Sequence, residues 1–161
     1  MASQQGVTLL EMMMGIIVMI LFLTLGMPLW HQGHISRQID TQYHDLVALI
    51  QQAQMASLDS GTPWTLCGSR DGHTCDDRWE TMLIVDDGGR VHYRADRHEQ
   101  VSLRWEGLGN ALTFHPRLAS SRLNGTFRLC STAPDAQKGM KLVINRLGRI
   151  RQQALDAQKD C

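Results

Sequence analysis

From Val7 to Trp30 the chain is apolar with one interruption: Glu11 is the only charged side chain in those 24 residues. As a helix rising ~1.5 Å per residue the run is about 36 Å long, more than the ~30 Å hydrocarbon core of a bilayer. The pattern therefore predicts a membrane-spanning helix over 7–30. Past Pro28 the periodicity changes. Apolar residues return at Ile35, Ile39, Tyr43, Leu46, Leu49, Ile50 and Ala53, and these steps of three and four predict an amphipathic continuation over 31–60. Pro28 removes one backbone hydrogen bond and is a candidate kink. Asp59-Ser60-Gly61-Thr62-Pro63 holds the turn and breaker residues that end a helix.

The remainder, 61–161, reads as short β-prone runs. Strands are predicted at Trp64–Cys67, Trp79–Val85, Arg90–Ala95, Val101–Trp105, Ala111–His115, Thr126–Cys130, Lys141–Arg146 and Arg149–Ala154. Asp86-Asp87-Gly88-Gly89 between two such runs is a hairpin signal. Strands of this spacing suggest a sandwich or a strongly bent sheet with the helix stripe covering one face. The fold class is α+β: a long N-terminal helix packed on a β-rich, disulfide-bonded domain.

Total charge is balanced, but its distribution is not. Val7–Asp87 carries three basic and ten acidic side chains, a net of −7, and Gly88–Lys159 carries thirteen and five, a net of +8. A basic C-terminal half suits a polyanion or an acidic protein neighbour; an unevenly charged solvated surface is the plain alternative. The four cysteines, Cys67, Cys75, Cys130 and Cys161, form no CxxC pair, which argues against a zinc ribbon or a thioredoxin-like motif. An even number behind a membrane helix points to disulfides in an oxidising compartment. Of three pairings, Cys67–Cys75 with Cys130–Cys161 is favoured. The first closes a short loop around Asp71-Gly72, and the second ties the end of the chain to a strand.

Catalytic chemistry finds little support. Asp59-Ser60-Gly61-Thr62 has the form of an aspartic-protease motif, but that chemistry needs two carboxylates sharing a proton and the motif occurs once. His31 and His34 share a helix face with no third ligand in view, and Met12, Met13, Met14 and Met19 read as helix packing. No enzyme activity, cofactor or metal is expected.

The N-terminus carries more. In Met1-Ala2-Ser3-Gln4-Gln5-Gly6 the small residue precedes the apolar run instead of following it, unlike an ordinary secretory signal. Gly6-Val7-Thr8-Leu9-Leu10-Glu11 resembles the type IV prepilin signature, and Pro28 falls where pilin helices often carry a proline. The resemblance implies a leader over 1–6, cut between Gly6 and Val7 by prepilin peptidase, with N-methylation of the new terminus. It also implies that Glu11 pairs with the terminal amine of a neighbouring pilin subunit during assembly. The chain would be single-pass in the bacterial inner membrane with its C-terminal domain periplasmic, and then part of a filament. Val7 stands where the family usually has Phe, and the leader lacks the usual Lys or Arg; both fit a minor subunit. Thr65-Leu66-Cys67 through Cys75, with Trp79, Arg128-Leu129-Cys130, Leu142-Val143-Ile144 and Cys161, resembles the FimT/GspH group of minor pilins and pseudopilins.

Lys141 to Gln152 holds the candidate binding chemistry. Gly148 permits a tight turn, after which Arg149 and Arg151 share one face of a strand ~6.5–7 Å apart while Ile150 faces the other way. Arg146, Lys141 and Lys138 are near in sequence. Two guanidiniums in step suit phosphate oxygens; a charged strand edge that discourages aggregation is the plain reading. Gly148-Arg149-Ile150-Arg151 resembles the GRxR motif of FimT-type minor pilins that bind DNA in natural transformation. The resemblance implies that Arg149 and Arg151 touch DNA, with Arg146 and Lys141 beside them. The hairpin has no aromatic residue to stack on bases, so sequence-independent contact with double-stranded DNA phosphates is expected, with a salt slope of roughly −3 to −4 for three or four contacts. The alternative is a type II secretion pseudopilin of the H type with a structural role.

Overall fold

The computed structural model describes residues 9–117, 123–133 and 138–161, and within them not the side chains of 25–35, 138 and 156–158. The expected leader, Met1–Gly6, and the Gly6–Val7 cleavage point lie outside the described residues.

Helix α1 runs Leu9–Ser60, 52 residues. The chain divides into two compact units, 1–34 and 35–161. In the first, α1 is a row of exposed apolar side chains, from Leu9 at 79% to Phe22 at 76% exposure. The helix passes through Pro28 without a break, so the proline does not end it. Among the described residues no helix is long and apolar enough to cross a membrane. Of the predicted span 7–30, the described side chains are those of Leu9–Thr24, fewer than the ~17–25 residues a crossing requires.

In the second unit the predicted stripe Ile39, Tyr43, Leu46, Leu49, Ile50 and Ala53 is buried throughout. The helix stops where Gly61 takes φ 69°, a conformation that glycine adopts without steric cost. Gly61 N donates to Ser57 O at 3.1 Å. The buried Ser57 hydroxyl lies 2.9 Å from Thr62 O and 3.0 Å from Phe114 O, so one side chain ties the helix end to a strand. The protease-like tetrapeptide is thus a helix terminus.

Eight strands follow: β1 Trp64–Ser69, β2 Thr81–Asp86, β3 Val91–Asp96, β4 Val101–Gly107, β5 Ala111–Phe114, β6 Gly125–Ser131, β7 Lys138–Ile144 and β8 Ile150–Asp156, before a short helix α2, Ala157–Asp160. They form two four-stranded sheets, ordered β3-β2-β1-β5 and β4-β6-β7-β8, with every pairing antiparallel. Each predicted strand is present with shifted ends. β4 and β5, adjacent in sequence, belong to different sheets.

Two sheets match the sandwich that the sequence suggested, and the helix stripe packs in among them instead of covering one face. It shares one core with both: Leu66, Ile84 and Leu112 from the first sheet, Leu103, Phe127 and Leu142 from the second. Each sheet exposes an apolar inner face that only the stripe and the other sheet can fill. At the centre Phe127 meets Trp79 at 4.8 Å and Trp105 at 4.6 Å between ring centroids. Gln42, buried on the helix, accepts a hydrogen bond from His98 N at 2.8 Å, which satisfies a carbonyl that would otherwise be costly to bury.

Both favoured disulfides are present, Cys67–Cys75 and Cys130–Cys161. The second lies on the outer face of the β4-β6-β7-β8 sheet, because a Cβ at Gly139 would sit 3.1 Å from Cys161 Sγ. By loop-closure entropy it contributes about 3–4 kcal/mol.

Candidate nucleic-acid interface

The β7–β8 hairpin is closed by Asn145-Arg146-Leu147-Gly148-Arg149. Asn145 N donates to Arg149 O at 3.1 Å, and Gly148 N donates to Asn145 O at 2.9 Å. Asn145 Oδ1 accepts from Leu147 N at 3.0 Å and from Arg149 N at 2.8 Å. Gly148 has φ 78°, so the turn needs a residue without a Cβ penalty there.

The β2–β3 hairpin has the same turn. Asp86 Oδ1 accepts from Gly88 N at 3.0 Å and from Arg90 N at 2.9 Å. Gly89 N donates to Asp86 O, with φ 75° at Gly89. The two turns differ in charge. Asp86 is acidic, and its second oxygen lies 2.8 Å from His92 Nε2. The His92 hydrogen bond, followed by the Arg90 N–H, holds the Asp86 carboxyl below the usual carboxylate range. Asn145 is neutral. The residue that corresponds to His92 is Arg151, and Arg151 has no carboxylate on its own turn. Among the described residues neither Arg149 nor Arg151 is in an ion pair, and both are exposed.

Register places the other predicted residues. Ile150 faces inward against the core, opposite Ile144, so Arg149 and Arg151 face outward together. Lys141 is on the same outer face, diagonal to Arg151, whose direct partner is Val143. Arg146 is exposed at the turn. Lys138 pairs with Asp156 at the end of β7 away from the turn, ~20 Å along the strand, and its side chain lies outside the described residues. Glu11 is in the first turn of α1. Pro28 is within α1, and its side chain lies outside the described residues.

Two cations escaped the sequence reading. Across the second sheet, Arg104 on β4 faces Arg128 on β6, Arg128 faces Lys141 on β7, and Lys141 faces Gln153 on β8. Leu103, Leu129 and Leu142 beside them are buried, so alternation turns this row outward. Arg128 Nε is 3.0 Å from Glu106 Oε2, and its Nη1 donates to Asp160 O at 3.0 Å. No local signal in the sequence aligns them; the register between strands does.

A long helix whose apolar stripe enters the core of two antiparallel four-stranded sheets defines the fold of minor pilins and pseudopilins. Residues 42–148 match the family described as Type II transport protein GspH, and the chain belongs to that family. The type IV minor pilin FimU of Pseudomonas aeruginosa has the same fold, with TM-score 0.59 at 18% identity over 76% of this chain and 96% of that one. So does the minor pseudopilin EpsH from the type 2 secretion system of Vibrio cholerae, with TM-score 0.55 at 10% identity over 73% of this chain and 97% of that one. A comparison with curated proteins gives no match.

Proposed function

We propose that this GspH-family chain is a minor subunit of a type IV pilus whose C-terminal hairpin binds extracellular double-stranded DNA for uptake. In this reading the leader is cut between Gly6 and Val7 by prepilin peptidase and the new terminus is N-methylated. Residues 7–30 hold the subunit in the inner membrane and later in the filament core. The exposed apolar side chains from Leu9 to Leu23 suit both settings. Glu11 pairs with the amine of the adjoining subunit, since a carboxylate among apolar neighbours requires a cation.

The observation that carries the DNA reading is the charge difference between two otherwise matching turns. The β2–β3 turn supplies a carboxylate to its strand histidine, and the β7–β8 turn supplies a neutral amide. Arg149 and Arg151 are left for an external anion. The match to a family described by type II transport favours a second reading, a pseudopilus subunit with no nucleic-acid role.

The test is a titration of the detergent-solubilised chain with labelled duplex DNA at low salt. Arg149→Ala/Arg151→Ala should weaken binding about tenfold or more and flatten the salt slope by about 2. Equal binding by variant and wild type, or binding by neither, sinks the DNA reading and leaves the pseudopilus one.

A further inference from the structure

Arg104, Arg128 and Lys141 occupy directly opposed register positions on three adjacent strands. Like charges directly opposed across strands destabilise a sheet, and a fold that places three in line departs from a local rule where function commonly explains it. Glu106, two residues from Arg104 on β4, offsets part of this charge by pairing with Arg128 at 3.0 Å. The Asp160 carbonyl fixes the same guanidinium from the other side. Strands ~4.8 Å apart put Arg104 about 14 Å from the β8 row, and Arg151 lies two residues further along β8, toward the turn. Phosphates on one DNA strand advance ~3.4 Å along the axis, so this distance spans about four of them. At the β4 edge Arg104 also lines a groove of about 370 Å³ with Arg78, Arg97, Asp77 and Glu80; the mixed charges of that groove set it apart from the cationic row, which ends at Arg104.

We infer that the DNA-binding surface extends from the Arg149–Arg151 hairpin across the outer face of the second sheet to Arg104, and that Glu106, by occupying Arg128, holds its affinity down. A duplex backbone therefore lies across the strands, not along the hairpin. The inference rests on the DNA reading above and assigns that site its extent, its orientation and an internal acidic brake.

The full chain in detergent, titrated with a labelled duplex over a salt series, tests it. Arg104→Gln should weaken binding about fivefold and reduce the salt slope by about 1, whereas Arg104→Lys, which keeps the charge, should stay within about twofold of wild type. Glu106→Gln should tighten binding about two- to fivefold. Should Arg149→Ala/Arg151→Ala lose binding while Arg104→Gln and Glu106→Gln match wild type, the extension is wrong and the hairpin site stands. If the double variant binds as wild type does, both readings fail, whatever Arg104→Gln shows. If Arg104→Lys loses as much as Arg104→Gln, charge at that position is not what the DNA meets, and the extension fails.

Discussion

Asp71 sets the shape of the loop closed by Cys67–Cys75. Its Oδ1 accepts from His73 N and Thr74 N at 2.8 Å and from Ser69 Oγ at 2.9 Å, and its Oδ2 accepts from Thr74 Oγ1 at 2.8 Å. The Thr74 and His73 N–H groups, then the Thr74 and Ser69 hydroxyls, hold the carboxyl well below the usual carboxylate range. The sign follows from linkage. A carboxyl whose folded value lies below its unfolded value, near ~3.9, stabilises the fold above that unfolded value and stops doing so as pH falls through the folded one. Asp71→Asn should therefore melt below wild type at neutral pH, and the gap should narrow steadily as pH falls below about 4. Thermal melts of both proteins across that range decide it; a gap constant with pH would mean that the loop does not depend on the charge.

At the scale of the element, the matching turns invite an exchange. Asn145→Asp reproduces the acidic turn of the β2–β3 hairpin while keeping an oxygen for the Leu147 and Arg149 N–H groups. Stability should change by less than about 0.5 kcal/mol. DNA affinity should fall about three- to tenfold, because the new carboxylate can engage Arg151 as Asp86 engages His92. A denaturant midpoint with a binding isotherm separates the two effects, and unchanged binding would remove the turn's charge from the account. Much of this element was legible in the sequence. Gly148 announced the turn, and alternation around Ile150 announced which way the arginines point. The likeness of the two turns was not legible, because Asp86 and Asn145 differ in charge and act alike only through backbone hydrogen bonds. Nor was the Arg104–Arg128–Lys141 row, whose members come from three strands that only the sheet register aligns. Gln42 was hidden for a related reason: a polar residue beside an apolar stripe reads as solvent-facing until its partner, the His98 N–H, is known.

For the molecule as a whole, the sequence specified strands well and their partners poorly. All eight runs became strands because each carries its own alternation and breakers. That β4 and β5 part company was not visible, since local pattern is silent on which sheet a strand joins. The parting has energetic weight. β1 pairs with β5 through Trp64–Phe114 to Cys67–Ala111, β4 pairs with β6 along its whole length, and one core joins both sheets to the helix. The first sheet is completed only after β4 has entered the second, and the second only after β5 has returned to the first. Unfolding of residues 35–161, followed by tryptophan emission and by far-ultraviolet circular dichroism, should give coincident curves; two separated transitions would mean that the sheets are independent.

The same exchange orders events while the chain is still being synthesised. Cys67 and Cys75 are close in sequence and can be oxidised early, but the flank of β1 reserved for β5 must wait until Ala111–Phe114 emerges. Over that interval an unpaired, apolar strand edge is open to any other extended chain. A holdase that shields such edges would raise the yield of folded protein, and overproduction without one would favour β-aggregates nucleated at residues 64–67.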